Sequence, residues 1–231
     1  MKSILNKIKK IDIPLSKNFD LNKFSDTDTL LYHLNSDIFE NNKINHTDRI
    51  QALNRLRNLL VSKKFDFLIA YNLVLTGKVE QELGNIKNAI KKSTDSYKLF
   101  NTMHKTNQLA VNGSIFAYSN LANIYSNLNL NNISLDYLYK SQKVIELCEN
   151  TYIPKIRTNL NLGICYHALK KYQKSLKYLN EIYDIAFKKK DYTVLIPIIV
   201  NISSVYFSMK KYDKCFELNK KAIKFLDKID D

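Results

Sequence analysis

Asn120-Leu-Ala-Asn-Ile-Tyr125, Asn161-Leu-Gly-Ile-Cys-Tyr166 and Asn201-Ile-Ser-Ser-Val-Tyr206 share one pattern: Asn, aliphatic, small, two residues, Tyr. The tyrosines lie 41 and then 40 residues apart. Self-similarity at a fixed period of 20–50 residues is the mark of a repeat array. Each copy sits in a longer stretch with helical spacing. Leu162, Tyr166 and Leu169 recur every three to four residues, and Tyr172, Leu176, Leu179 and Ile182 do so in the next segment. Small residues (Gly163, Ser175) fall between large ones, which predicts two helices crossing closely with bulk filled in around the crossing point. Ile202, Ser203, Tyr206, Met209, Tyr212, Cys215 and Phe216 repeat the scheme, and so do Leu121, Ala122, Tyr125, Leu128, Ser134, Leu135 and Leu138.

The composition agrees with long helices. The 231 residues are 45% hydrophobic, with 15 Tyr and 11 Phe, so a large apolar surface is available for burial. Only 4 Gly and 3 Pro are present, too few for the many tight turns of a sandwich or barrel. The spacing predicts helices over 27–41, over a segment capped by Thr47 or Asp48, over 65–83 ending at Gly84-Asn85, and over 86–103. A loop is expected around His104–Ser114, where Gly113 stands. Helical hairpins are then expected at 115–128 with 132–148, 155–169 with 172–188, and 193–209 with 212–228. Pro154 suits a first helical turn. Pro197 either marks a helix start or kinks the first turns. No apolar run reaches the length of a membrane span. The basic start, Met1-Lys-Ser-Ile-Leu-Asn-Lys-Ile-Lys-Lys10, lacks a signal peptide's apolar core and reads as a frayed or docked terminal helix rather than a membrane-surface one.

The net charge of +14 points towards an acidic partner. Its make-up argues against nucleic acid. The 36 basic residues include only four arginines, Arg49, Arg55, Arg57 and Arg157, whereas bidentate phosphate and base contacts favour Arg. The excess is +7 in residues 1–110 and +7 in 111–231, so there is no basic block. Lys170-Lys171 and Lys210-Lys211 would stack along one edge of a repeat array, but Lys at helix ends also complements the helix dipole. Lys188-Lys189-Lys190 would lie at the opposite edge. Cys148, Cys165 and Cys215 form no CxxC pair and read as thiols in a reducing, cytoplasmic compartment. The motifs of a catalytic or metal site are missing. There is no phosphate-cradling Gly-rich loop and no HExxH, and Cys165 and His167 point to different helix faces. The reading is therefore a non-enzyme with no cofactor and no metal.

The string Leu162-Gly163-x-x-Tyr166, followed by Tyr172, Ser175 and Leu176, resembles the tetratricopeptide repeat family. The resemblance is good over 115–229 and weaker over 65–105, where Gly77, Ile86, Ala89 and Ile90 fit but Glu80 replaces the tyrosine. This repeat of 40–41 residues exceeds the family's usual 34 or so by roughly two helical turns. Such long repeats resemble those of bacterial peptide-sensing regulators and of the input domains of bacterial signalling enzymes. The resemblance implies an all-α, right-handed α-solenoid of helix-turn-helix repeats. Its parts are an irregular or short helical segment at 1–25, two degenerate hairpins at 26–105 and three clear repeats at 111–231, in one continuous solenoid domain. The chain stops after a second-helix segment, which suggests a module of something longer and leaves a homodimer through an uncapped terminal repeat as one assembly.

The family's concave groove is lined by the first helices of successive repeats. By that resemblance the groove residues are Ser119, Asn123, Ser126 and Asn127, then Arg157, Leu160, Ile164 and His167, then Val200, Ser204 and Phe207. An Asn amide both donates and accepts, so it can pair with a peptide backbone of any sequence. The signature residues Asn120, Leu121, Ala122, Tyr125, Asn161, Leu162, Gly163, Tyr166, Asn201, Ile202, Ser203 and Tyr206 are read as structural, with the leading Asn open to either role. Asn123 and Asn161 match the family's carboxylate clamp, but Ser119 and Pro197 stand where lysines are expected, so no clamp is inferred. The implied function is a protein- or peptide-binding module in a bacterial cytoplasmic signalling or regulatory system. The alternatives are a peptide-pheromone-type regulator, of quorum-sensing or phage type, without its own DNA-binding domain, and a nucleic-acid-binding helical repeat.

Overall fold

Asp26 and Asn45 stop the chain from entering a helix one residue too early, and their side chains then hold the first turns. The Thr29 amide donates to Asp26 Oδ1 at 2.8 Å, and the Asp48 amide donates to Asn45 Oδ1 at 2.9 Å. Asn45 is therefore the cap in place of Thr47 or Asp48, because its backbone is extended while theirs is already helical. The computed structural model describes residues 6–8, 13–16, 19–20, 23–24, 26–41, 43–226 and 228. Among these no strand occurs. The helices are α1 (Thr27–Glu40), α2 (His46–Ser62), α3 (Asp66–Glu82), α4 (Ile86–Thr102), α5 (Gln108–Asn127), α6 (Asn131–Ile145), α7 (Tyr152–Ala168), α8 (Tyr172–Lys188), α9 (Tyr192–Ser208) and α10 (Tyr212–Leu226). The chain is all-α, and successive helices are joined by short turns.

Six of those turns have the same construction. Lys64, Gly84, Asn129, Lys170, Lys190 and Lys210 all have left-handed backbones, with φ between 55° and 78°. In each turn the next amide reaches back five residues. Leu130 donates to the Tyr125 carbonyl at 2.8 Å, Lys171 to Tyr166 at 2.9 Å and Lys211 to Tyr206 at 2.9 Å. This is the Schellman ending, which satisfies carbonyls that a terminating helix would leave bare.

The expected loop at His104–Ser114 is a correction. Asn107 Oδ1 accepts from the Leu109 and Ala110 amides, at 2.9 and 3.3 Å, and so starts α5 at Gln108. Gly113 is thus helical. A Cβ there would come within 2.5 Å of the Phe100 ring, so the glycine permits a close approach. Pro197 lies inside α9, whose start at Tyr192 is capped by Asp191.

Two compact units divide the chain, Met1–Ile124 and Tyr125–Asp231. In the first, Leu30, Leu31, Leu34, Ile38, Leu53, Leu56 and Leu60 form the centre of the core. Ile8 is buried against the same cluster, so the described part of the N-terminal segment docks on protein. The rest of the Met1–Lys10 expectation lies outside the described residues. The degenerate hairpins carry a buried amide pair, in which Asn72 Nδ2 donates to Asn35 Oδ1 at 2.8 Å and to the Leu53 carbonyl at 2.9 Å. In the second unit, Leu176, Leu179 and Ile182 of α8 meet Leu195, Ile198, Ile199 and Ile202 of α9.

The crossing points are as tight as the spacing of small residues implies. A Cβ on Gly163 would meet the Leu179 side chain at 2.6 Å, and Ser175 Oγ donates to the Gly163 carbonyl at 2.7 Å. The signature tyrosines stack twelve residues ahead: Tyr125 on Tyr137 at 5.6 Å and Tyr166 on Tyr178 at 5.7 Å, with interplanar angles of 6° and 4°. The third copy has Leu218 in that place, packed with Tyr206 in one cluster.

Candidate functional site

In the second unit the first helices α7 and α9 bring a set of groove candidates to the surface. Helical spacing places Leu160, Ile164 and His167 on one stripe of α7, and Val200, Ser204 and Phe207 on one stripe of α9. Ile164, Val200 and Phe207 are exposed at 39, 48 and 60%. Leu160 is half-buried and Arg157 exposed.

His167, Val200, Ser204 and Phe207 line one cleft of about 330 Å³. Ser203, Ser208, Cys215 and Asn219 complete it. His167 Nε2 and Ser208 Oγ share a hydrogen at 2.8 Å, which ties α7 to α9 at the rim. Partial burial holds the imidazole pKa below the usual histidine value, so the ring is neutral at neutral pH. Ser203 Oγ lies 3.0 Å from Cys215 Sγ, and Asn219 Nδ2 donates to that sulfur at 3.6 Å. Burial raises the Cys165 thiol above the usual value, and its Sγ donates to the Asn131 carbonyl at 3.3 Å. Cys165 is therefore a packed thiol, turned away from His167. The cleft thus has an apolar wall and a rim of neutral donors and acceptors. It suits a partly apolar ligand whose polar groups are amides.

Of the remaining candidates, Ser126 and Asn127 stand at the C-terminal end of α5 within the second unit. Asn127 is exposed, and Ser126 Oγ donates to Asn131 Oδ1 at 3.4 Å. In the first unit Asn123 is exposed, whereas Ser119 is 3% exposed and its Oγ has no hydrogen-bond partner. A helical serine one turn from an exposed residue can face the core, and the burial of Ala117, Tyr118, Asn120 and Leu121 encloses it.

The three signature asparagines have three different fates. Asn120 is buried and donates to Ser93 Oγ of α4 at 2.7 Å. Asn161 is half-buried. Asn201 donates back to the Pro197 carbonyl at 2.8 Å. Sequence reasoning did not single out Ser208 or Asn219. For Asn219 a signal existed, because its counterpart forty residues earlier is the fully buried Leu179.

Among the described residues, no cluster of three His, Cys, Asp or Glu is arranged to hold a metal ion, and no helix is long and apolar enough to cross a membrane.

Residues 114–186 match the family model of the tetratricopeptide repeat. No curated protein matches the sequence. Three solved structures share the fold. The apo form of RapI is 17% identical with a TM-score of 0.69, over 100% of this chain and 60% of that one. A Rap protein complexed with Competence and Sporulation Factor is 16% identical with a TM-score of 0.71, over 91 and 58%. Aspartyl phosphate phosphatase F from Bacillus subtilis is 15% identical with a TM-score of 0.70, over 88 and 52%. The chain therefore spans between about half and three-fifths of the length of these structures, and at such identities the likeness is one of fold. The helical hairpins, the small-residue crossings and the family match together show tetratricopeptide repeats at residues 114–186 of this chain.

Proposed function

We propose that the chain is a protein- or peptide-binding module, and that an extended peptide or partner helix lies along α7 and α9 with an apolar side chain in the cleft. The observation that carries this reading is the cleft itself. Its wall of Val200 and Phe207 is exposed, and its rim of Ser204, Ser208, His167 and Asn219 carries no formal charge at neutral pH. Apolar burial supplies the affinity, at about 25 cal/mol per Å², and the hydroxyl and amide rim orients a peptide backbone. The setting we infer is a bacterial cytoplasmic signalling or regulatory system. The free thiols of Cys148, Cys165 and Cys215 and the fold shared with a Rap protein complexed with a factor named for competence and sporulation support it. That same likeness favours, as a second reading, a regulator that responds to a short peptide. We read the chain as a binder rather than an enzyme, because the cleft presents no nucleophile poised beside a base aligned by a third group. The shared fold with a phosphatase does not carry an activity across.

The test is selection of a random peptide library against the full chain, followed by calorimetry with the enriched synthetic peptides. Peptides carrying an aliphatic or aromatic anchor should be enriched and bind one per chain. Val200→Asp with Phe207→Asp should weaken them at least tenfold with unchanged helicity. An unenriched library, or binding indifferent to those substitutions, refutes the proposal.

A further inference from the structure

The two hairpin turns beside the cleft carry a charge that the cleft itself does not. Lys170 and Lys171 join α7 to α8, and Lys210 and Lys211 join α9 to α10. All four are exposed. His167 stands three residues before Lys170, and Ser208 two before Lys210. Because the His167 ring and the Ser208 hydroxyl share a hydrogen at 2.8 Å, both turns lie at that end of the cleft. No carboxylate among the described residues forms an ion pair with any of the four. The next lysines along are engaged, Lys174 over the Tyr166 ring at 5.6 Å and Lys214 over the Tyr206 ring at 5.3 Å. A turn at the edge of stacked hairpins is open to solvent whichever helix faces its neighbours cover.

Helix ends alone do not explain these lysines. The same Schellman turn is built from Leu83-Gly-Asn85 and from Leu128-Asn-Leu130 without a charged residue. A helix C-terminus carries about half a negative charge, so one lysine per turn would complement it, and each pair leaves a positive excess. Among the turns inside the three clear repeats, doubled lysines occur only in the two hairpins that line the cleft. Lys188-Lys189-Lys190 lies at the far end of these helices, and there Lys189 is laid over the Tyr152 ring at 4.8 Å.

We propose that the peptide held in the cleft is acidic, with one or two Asp or Glu side chains close to its apolar anchor lying over Lys170, Lys171, Lys210 and Lys211. This rests on the peptide-binding reading and adds the class of peptide. An extended peptide advances roughly 3.3 Å per residue, and about one helical turn of 5.4 Å separates the rim from the lysines, so the acids belong one to three residues from the anchor. The anchor supplies affinity, and the carboxylates decide which way the peptide runs, with its acidic end towards the C-terminal ends of α7 and α9. Exposed ion pairs are individually weak, so the preference is about three- to tenfold, and even its complete loss to salt leaves most of the affinity in place.

Sequencing the peptides enriched from the random library, then calorimetry on one of them at 0.15 M salt, tests the proposal. The synthetic peptide is acetylated and amidated, so only side-chain carboxylates are read. Asp and Glu should be over-represented within three residues of the anchor, and their replacement by Asn and Gln should weaken binding about three- to tenfold. Lys170→Gln, Lys171→Gln, Lys210→Gln and Lys211→Gln together should weaken the acidic peptide by the same factor and leave its neutral counterpart unchanged. Lys171→Gln with Lys211→Gln, which spare the left-handed positions, should give part of that loss. Lys188→Gln with Lys190→Gln should change neither peptide by as much as about twofold, because screening confines each charge to about 8 Å at this salt. Helicity should be unchanged in every variant, since all these side chains are exposed. Anchored peptides without acidic neighbours, an acid preference that survives the loss of the four lysines, or an equal effect of the far-end pair overturns the proposal and leaves the peptide-binding reading standing. A library with no enriched anchor removes that reading and this one together.

Discussion

Gly163 shows how a single residue holds one of these hairpins together. Any Cβ there would press on Leu179 at 2.6 Å, and Leu179 is itself fully buried. Gly163→Leu should therefore destabilise the second unit by about 1–3 kcal/mol or more, as overpacking does. That is a fall in melting temperature of roughly 2–4 °C per kcal/mol for a chain of this size. An unchanged thermal melt would mean that the helices do not cross there. His104 is the other residue with a clear consequence. Its Nε2 lies 2.6 Å from Ser114 Oγ, which donates to Asn101 Oδ1 at 2.9 Å, so the imidazole must be the donor. Partial burial lowers its pKa, as it does for His167. A histidine with a depressed folded pKa binds its proton more readily when unfolded. The stability it contributes is therefore complete above the unfolded value, near 6.5, and is lost as pH falls through the folded one. Urea midpoints measured from pH 7.5 downwards should decline through this window, and His104→Gln should make the decline shallower. A midpoint indifferent to pH would remove the argument.

The turns dictate the behaviour of the elements. Four of the six left-handed positions are lysines, although a side chain there costs about 1 kcal/mol. Gly84 and Asn129 occupy equivalent places with less strain. Lys170→Gly and Lys210→Gly should each raise the melting temperature modestly. Lys210→Val should lower it, because a β-branched residue fits the left-handed region worst. The reverse order in a differential scanning experiment would contradict the Schellman reading. These turns also show what was legible at this scale. Leu-Gly-Asn at 83–85 announces its turn, and the hairpins at 152–168 with 172–188 fall within three residues of expectation. The start of α5 was misplaced because Gly113 reads as a loop residue in isolation, and only the Phe100 ring packed against it explains a helical glycine.

For the whole molecule, the +14 charge is spread evenly and its lysines are largely solvated or laid over tyrosine rings, as Lys174 is over Tyr166 at 5.6 Å. A peptide held in the cleft should therefore lose little affinity between 50 and 200 mM salt. A ligand held by several phosphate contacts would lose about 10³-fold or more over the same range. Fluorescence titrations of an enriched peptide and of single-stranded oligonucleotides across this salt range separate the two. A steep salt slope for the tightest ligand would favour the nucleic-acid alternative. Part of the candidate site was visible beforehand, namely His167, Val200, Ser204 and Phe207 on the first helices. The resemblance places the groove on the first helices, so for the part supplied by α10 the sequence carries only the polar replacement of Leu179 by Asn219.

The period of the sequence determined by itself that this is an all-α array of hairpins. It also placed the small residues at the crossings, because helix periodicity and side-chain size are local properties that survive without coordinates. Tertiary structure alone decided that Ser119 is buried, that Asn120, Asn161 and Asn201 differ in role, and that Asn219 borders a cleft where its counterpart Leu179 is packed. These outcomes depend on which neighbouring helix covers a given face, and identical repeat positions receive different neighbours at different places in the array.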